Sequence, residues 1–180
     1  MSSTYCSAPF QHLHITPVGD VKPCCTYHSS TTYGNVNYQS IENIYNNVHF
    51  KIIRKQLLDG KKPAGCFKCY KRESVGLTSP RLGYQEVYKP SNSYTMPIKF
   101  DSWDIRNTNL CNLKCQTCGP SYSSLHNNNV EIRPNNKAMD NIYQNIDNNI
   151  DNVKHIYFAG GEPLINPMHE YIIKKLLDKK

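Results

Sequence analysis

Leu110-Cys111-Asn112-Leu113-Lys114-Cys115-Gln116-Thr117-Cys118-Gly119 sets three cysteines in the spacing C-x3-C-x2-C. Three soft thiolates on one short loop are one fewer than the four that close a metal site. Such a loop can hold three irons of a [4Fe–4S] cubane and leave the fourth open, and an open metal position can bind and activate a small molecule. Cys115-x2-Cys118 is also the spacing of half a zinc site. The loop points to an enzyme only if a second element offers a binding surface for a cofactor.

That element is His155-Ile156-Tyr157-Phe158-Ala159-Gly160-Gly161-Glu162-Pro163, about forty residues downstream. An apolar run of strand length breaks at two glycines, a carboxylate and a proline. Backbone without Cβ can approach a ligand closely, and carbonyls at a strand end can accept hydrogen bonds from an ammonium group. The bland reading is a tight strand-to-helix turn.

With both motifs in this order, the chain resembles the radical S-adenosylmethionine (SAM) enzymes. The resemblance implies a [4Fe–4S] cluster on Cys111, Cys115 and Cys118, with SAM on its open iron. Gly160, Gly161, Glu162 and Pro163 would hold the SAM amino group. It also implies reductive cleavage of SAM to a 5′-deoxyadenosyl radical that abstracts hydrogen from substrate. No other catalytic residue is assigned. Thr117 stands where the family often has an aromatic residue.

Five further cysteines lie upstream. A strand pair is expected at 12–15 and 21–23, turned by Pro17-Val18-Gly19-Asp20 and delivering Cys24 and Cys25. One helix is expected over 40–59, capped by Ser40 and stopped by Gly60, with Ile41, Ile44, Tyr45, Val48 and Ile52 as its buried face. A C-x2-C hairpin, Cys66 to Cys69, follows. Together with Cys24 and a distant cysteine, best Cys6, it can form a four-thiolate site, and Cys25 is the spare. The spacing alone leaves iron–sulfur and zinc both open. Here the chain resembles the twitch and SPASM auxiliary-cluster modules, through Cys6-Ser7-Ala8-Pro9-Phe10, the Gly19 to Cys24 element, Cys66-x2-Cys69 and the segment from Glu73 to Arg81. That resemblance implies an auxiliary [4Fe–4S] cluster on Cys6, Cys24, Cys66 and Cys69. In such enzymes the module usually follows the barrel; here it precedes it.

Strands are expected at 98–105 and 153–159, and helices at 120–125, 136–150 and from 166 onward, the last with Ile172, Ile173, Leu176 and Leu177 as its apolar face. The order is β-α-β-α with parallel strands. The fold class is therefore α/β: the first two units of a partial (β/α)6 barrel at 97–180, preceded by a small α+β cysteine-rich metal-binding module at 1–90. Two strands leave an open edge that invites association, so a fragment, or a chain completed by a second polypeptide, is expected. Asp104 and Arg106 are read as a solvated ion pair worth about 1 kcal/mol or less.

Composition bounds the rest. Eight cysteines in 180 residues are too sparse for a disulfide scaffold. No signal peptide and no run of ~18 apolar residues is present, so the expected setting is a reducing cytoplasm, with no membrane partner. The formal charge of +7 is scattered, which argues against nucleic acid as a partner. A zinc-dependent, non-catalytic interaction or nucleic-acid-binding module is the alternative function. By family analogy the partners are an electron donor such as a flavodoxin or ferredoxin, and a peptide or protein substrate.

Overall fold

One four-stranded sheet, in the order β2-β1-β3-β4, organises the molecule. The computed structural model describes residues 2–29, 32–95 and 99–178. Strand β1 (His12–Ile15) makes an antiparallel hairpin with β2 (Val21–Lys22). On its other side β1 pairs in parallel with β3 (Ser102–Ile105), and β3 pairs in parallel with β4 (His155–Ile156). The hairpin turns at Gly19, whose φ of 89° suits glycine.

Helix α1 (Ala8–Gln11) leads directly into β1. Between β2 and β3 run α2 (Ile41–Tyr45), α3 (Val48–Leu58), α4 (Phe67–Ser74) and α5 (Pro80–Val87). Helix α6 (Asn136–Asn149) crosses from β3 to β4, and α7 (Pro167–Leu177) follows β4. Side chains alternate across the sheet. Leu13, Ile15, Trp103 and Ile105 join the main core, together with Ile142 and Ile146 of α6 and Met168 and Ile172 of α7. Each such side chain, fully buried, contributes roughly 1.5–3 kcal/mol. The opposite face carries His12, His14, Ser102 and Asp104, all buried as well. A second cluster of Tyr5, Cys6, Ala8, Phe10, Tyr27, Ile53 and Leu57 packs in the N-terminal region.

Several expectations change here. The helix expected over 40–59 is two helices. Ser40 caps the first as expected, but Asn47 starts a second by accepting a hydrogen bond from the Phe50 N–H at 3.0 Å. This restart resets the helical phase: Phe50, Ile53, Arg54 and Leu57 face inward, whereas Val48 and Ile52 lie exposed. The C-x2-C segment is not a hairpin; Cys66 ends a 3-10 turn and Cys69 lies in the first turn of α4. A 3-10 turn at Ser124–Asn127 replaces the helix expected at 120–125. Strand β4 spans two residues, because the chain turns off at Gly160 and only its β3 side is paired. Ile98, the expected start of β3, lies outside the described residues. On α7 the inward face is Met168, His169 and Ile172, while Ile173 and Leu177 are exposed. β1 of the same chain pairs along one side of β3, while β4 stands at the end of the sheet.

Candidate metal centres

The cysteine loop leaves β3 at its carboxyl end and is held by backbone and short polar side chains. Asn109, fully buried, donates from Nδ2 to the Pro120 carbonyl at 2.9 Å and accepts from the Ile132 N–H at 2.6 Å. The Cys111 N–H donates to Ser124 Oγ at 3.1 Å, and Ser123 Oγ donates to the Leu113 carbonyl at 2.8 Å. The Leu113 N–H donates to Cys111 Sγ, 3.3 Å away. The Cys118 N–H closes a turn on the Cys115 carbonyl at 3.1 Å. Cys115 is exposed, and Cys111 and Cys118 are half-buried.

The glycine turn docks on this loop backbone to backbone. The Glu162 N–H donates to the Leu110 carbonyl at 2.8 Å, and the Gly161 N–H donates to the Tyr122 carbonyl at 3.1 Å. Both glycines have positive φ, 82° at Gly160 and 63° at Gly161. A Cβ on Gly161 would lie 2.2 Å from the Leu110 carbonyl oxygen, and one on Gly160 would lie 2.4 Å from Cβ of Arg106. Glycine is required here by contact as well as by conformation. The Glu162 carboxylate accepts from the Leu164 N–H at 3.1 Å and caps the 3-10 turn at Pro163–Ile165. Among the described residues no N–H donates to the Gly160 or Gly161 carbonyl, so both remain available as acceptors.

Arg106 links this turn to the polar face of the sheet. Its guanidinium forms a two-pronged pair with Asp104, with both bonds 2.8 Å, and lies near the rings of Tyr122 and Tyr157. Asp104 also meets His14 Nδ1 at 3.0 Å. The carboxylate is 1 % exposed, so the expectation of a solvated pair is overturned: the parallel pairing of β1 with β3 sets His14 opposite Asp104 and seals it. Burial opposes ionisation of Asp104, but the close approach of His14 and the two bonds from Arg106 outweigh it and hold the carboxyl at about 2. Ligand atoms of His12, His14 and Asp104 lie within 4.8 Å of one another. A dication there would have to compete with Arg106 for both Asp104 oxygens and with Ser102 for His12, so we read the group as a hydrogen-bond network.

His12 is fully buried between Ser102 Oγ, 2.8 Å away, and Tyr84 Oη, 3.3 Å away. Burial, with help from His14, pushes its imidazole down to about 3. The unfolded chain therefore takes up this proton first, near pH 6.5, and stability is lost as pH falls from there toward 3. The slope is about 1.4 kcal/mol per pH unit. Chemical denaturation of the chain between pH 7 and 5 should show this loss, and His12→Asn should flatten it; an unchanged slope would refute the assignment.

The upstream cysteines converge. Cys6, Cys24, Cys66 and Cys69 line one cavity with Thr26, Tyr27, Pro80, Arg81 and Tyr84. Cys25 is not among its lining residues; burial and the Asp104 charge raise its thiol. Burial raises the Cys24 thiol to about 11 and, with the neighbouring cysteines, the Cys66 thiol to about 12. Without a bound cation these are neutral thiols; a metal would displace their protons. Arg81 of α5 pairs through two nitrogens with Glu73 and donates to the Ser3 and Tyr5 carbonyls, at 3.0 and 2.7 Å, tying α4 and α5 to the N-terminal segment that carries Cys6.

Sequence reasoning assigned no role to His12, His14, Thr26 and Asn109, and named Arg81 only as the end of a matching segment. The alternation of His12 and His14 along β1 was the one visible signal, and its meaning depends on a partner strand ninety residues away.

A cavity lined by four cysteines, and a three-cysteine loop beside a glycine turn at the carboxyl end of parallel strands, are two candidate metal centres on an α/β fold. Family models agree: residues 6–70 match the iron–sulfur cluster-binding domain SPASM, and residues 105–180 match the radical SAM superfamily. The chain thus carries a segment similar to the SPASM domain followed by a segment similar to the radical SAM superfamily. No curated protein and no solved structure matches it.

Proposed function

We propose that this chain binds SAM at the glycine turn and the cysteine loop and takes part in its reductive cleavage, with a second cluster in the upstream cage. The observation that carries this reading is the direct bond between turn and loop, Glu162 N–H to the Leu110 carbonyl, next to Cys111. It fixes the free carbonyls of Gly160 and Gly161 beside the loop, as acceptors for the SAM ammonium group. Cys111, Cys115 and Cys118 would hold one [4Fe–4S] cluster, and Cys6, Cys24, Cys66 and Cys69 the other. When bound, the loop cluster supplies the electron that splits SAM into methionine and a 5′-deoxyadenosyl radical. The Asp104–Arg106 pair, packed against Gly160, keeps the turn in register. An external donor of the flavodoxin or ferredoxin type and a peptide or protein substrate complete the proposal by analogy with the family.

Anaerobic reconstitution with iron and sulfide tests it. The chain should take up about eight irons, with Cys111→Ala and Cys66→Ala each losing about four. Reduced protein given SAM should release 5′-deoxyadenosine, and Cys111→Ala should release none. Stoichiometric zinc with no visible absorption in place of iron would reject the reading.

A further inference from the structure

We propose that Thr26 sets the reduction potential of the cluster in the upstream cage. This rests on the auxiliary-cluster reading above and assigns a role that spacing alone does not show.

Thr26 Oγ1 lies 3.3 Å from Cys24 Sγ and 3.9 Å from Cys69 Sγ, so one hydroxyl reaches two of the four sulfurs. Its backbone N–H also faces Cys24, as the Ala8 N–H faces Cys6. The other hydroxyls lining the cavity are engaged elsewhere: the Tyr27 phenol bonds to Tyr33 at 3.0 Å, and the Tyr84 phenol to His12 at 3.3 Å. The Arg81 guanidinium is committed to Glu73 and to two backbone carbonyls. Thr26 is thus the side chain, among the described residues, with an O–H directed at the sulfurs.

Thiolates bound to iron have no proton to give, so the Thr26 hydroxyl donates and the sulfurs accept. One-electron reduction adds negative charge to the cluster and its thiolates. A donor to sulfur stabilises the reduced form more than the oxidised form and raises the potential. The cage is partly shielded from water: Cys6 and Cys69 are each 7 % exposed, Cys24 and Cys66 are half-buried, and the rings of Tyr27, Pro80 and Tyr84 line the wall. In such surroundings the field of one hydroxyl is weakly screened, and its influence on the added charge is correspondingly large. α1, α4 and the β2 end bring the four cysteines to the cavity by backbone position, so Thr26 is not needed to assemble them.

The test uses the full chain carrying Cys111→Ala, so that one paramagnetic cluster remains, titrated electrochemically with dithionite as the one-electron reductant. Thr26→Val should load the same iron, keep the same circular dichroism, and titrate at a more negative midpoint than its parent. Thr26→Ser, which keeps the hydroxyl, should return the midpoint toward the parent. A fully loaded Thr26→Val with an unshifted midpoint overturns the proposal. If Thr26→Val fails to load, deuterium exchange of the parent and of Thr26→Ser decides: a shift of the iron–thiolate stretching bands supports the O–H···S bond, and unmoved bands refute it. A Cys111→Ala parent that takes up no iron in the cage overturns the underlying reading of that site, and the role of Thr26 with it.

Discussion

Replacing Gly161 by alanine is expected to cost roughly 2–5 kcal/mol of stability and, on the proposed function, to abolish SAM binding. Two effects add. The residue holds φ of 63°, where an alanine pays about 1–2 kcal/mol for its Cβ. That Cβ would also sit 2.2 Å from the Leu110 carbonyl oxygen, which is backbone and cannot rotate away. The turn must lift off the loop, and the Glu162 N–H to Leu110 bond breaks as it does. Because Leu110 adjoins Cys111, the same displacement disturbs the cluster loop. Gly119→Ala is the matched control. Gly119 follows Cys118, yet a Cβ there meets nothing within 4 Å and its φ is not positive. It should leave urea unfolding and 5′-deoxyadenosine release near the parental values, while Gly161→Ala lowers the midpoint and eliminates release. Equal effects of the two substitutions would show that the turn is not docked as described.

What the sequence discloses and what it hides divide along local and non-local lines. The hairpin at His12–Ile15 and Val21–Lys22, the Ser40 cap, helix α6 and the Asn166 start of α7 depend on neighbours within a few residues, and they stand where periodicity and capping place them. The restart at Asn47 was missed because five apolar positions continued the helical spacing, and one capping side chain cancelled their phase. The C-x2-C pair with Cys24 and Cys6 could be nominated as a four-thiolate set from the residues, while their meeting at one cavity depends on segments far apart in the chain. The parallel pairing of β1 with β3 has no local signature. Its consequence, a sealed carboxylate at Asp104, was therefore misread as surface chemistry.

That sealed carboxylate carries the other large effect. Asp104→Ala should destabilise the chain by roughly 3–5 kcal/mol, several times the cost of breaking an exposed pair. The loss comes less from the missing attraction than from what is left behind: Arg106, 17 % exposed at its side chain, keeps its charge without the two bonds that satisfied it, and His14 loses its facing acceptor. Removing the charges together tests this account. Asp104→Leu combined with Arg106→Leu leaves no stranded cation and should recover much of the stability that Asp104→Ala loses. The pH dependence has its own sign. The native carboxyl titrates at about 2, below the value of about 3.9 in an unfolded chain, so its contribution is complete above pH 4 and drains away as pH falls toward 2. The shift corresponds to about 2.6 kcal/mol, less than the cost of Asp104→Ala because protonated aspartic acid still bonds to its neighbours. Denaturation midpoints at pH 7 for Asp104→Ala, Asp104→Leu/Arg106→Leu and the parent decide the matter. If the double variant is as weak as the single one, Arg106 holds the turn by packing on Gly160, and its stranded charge is not the source of the loss.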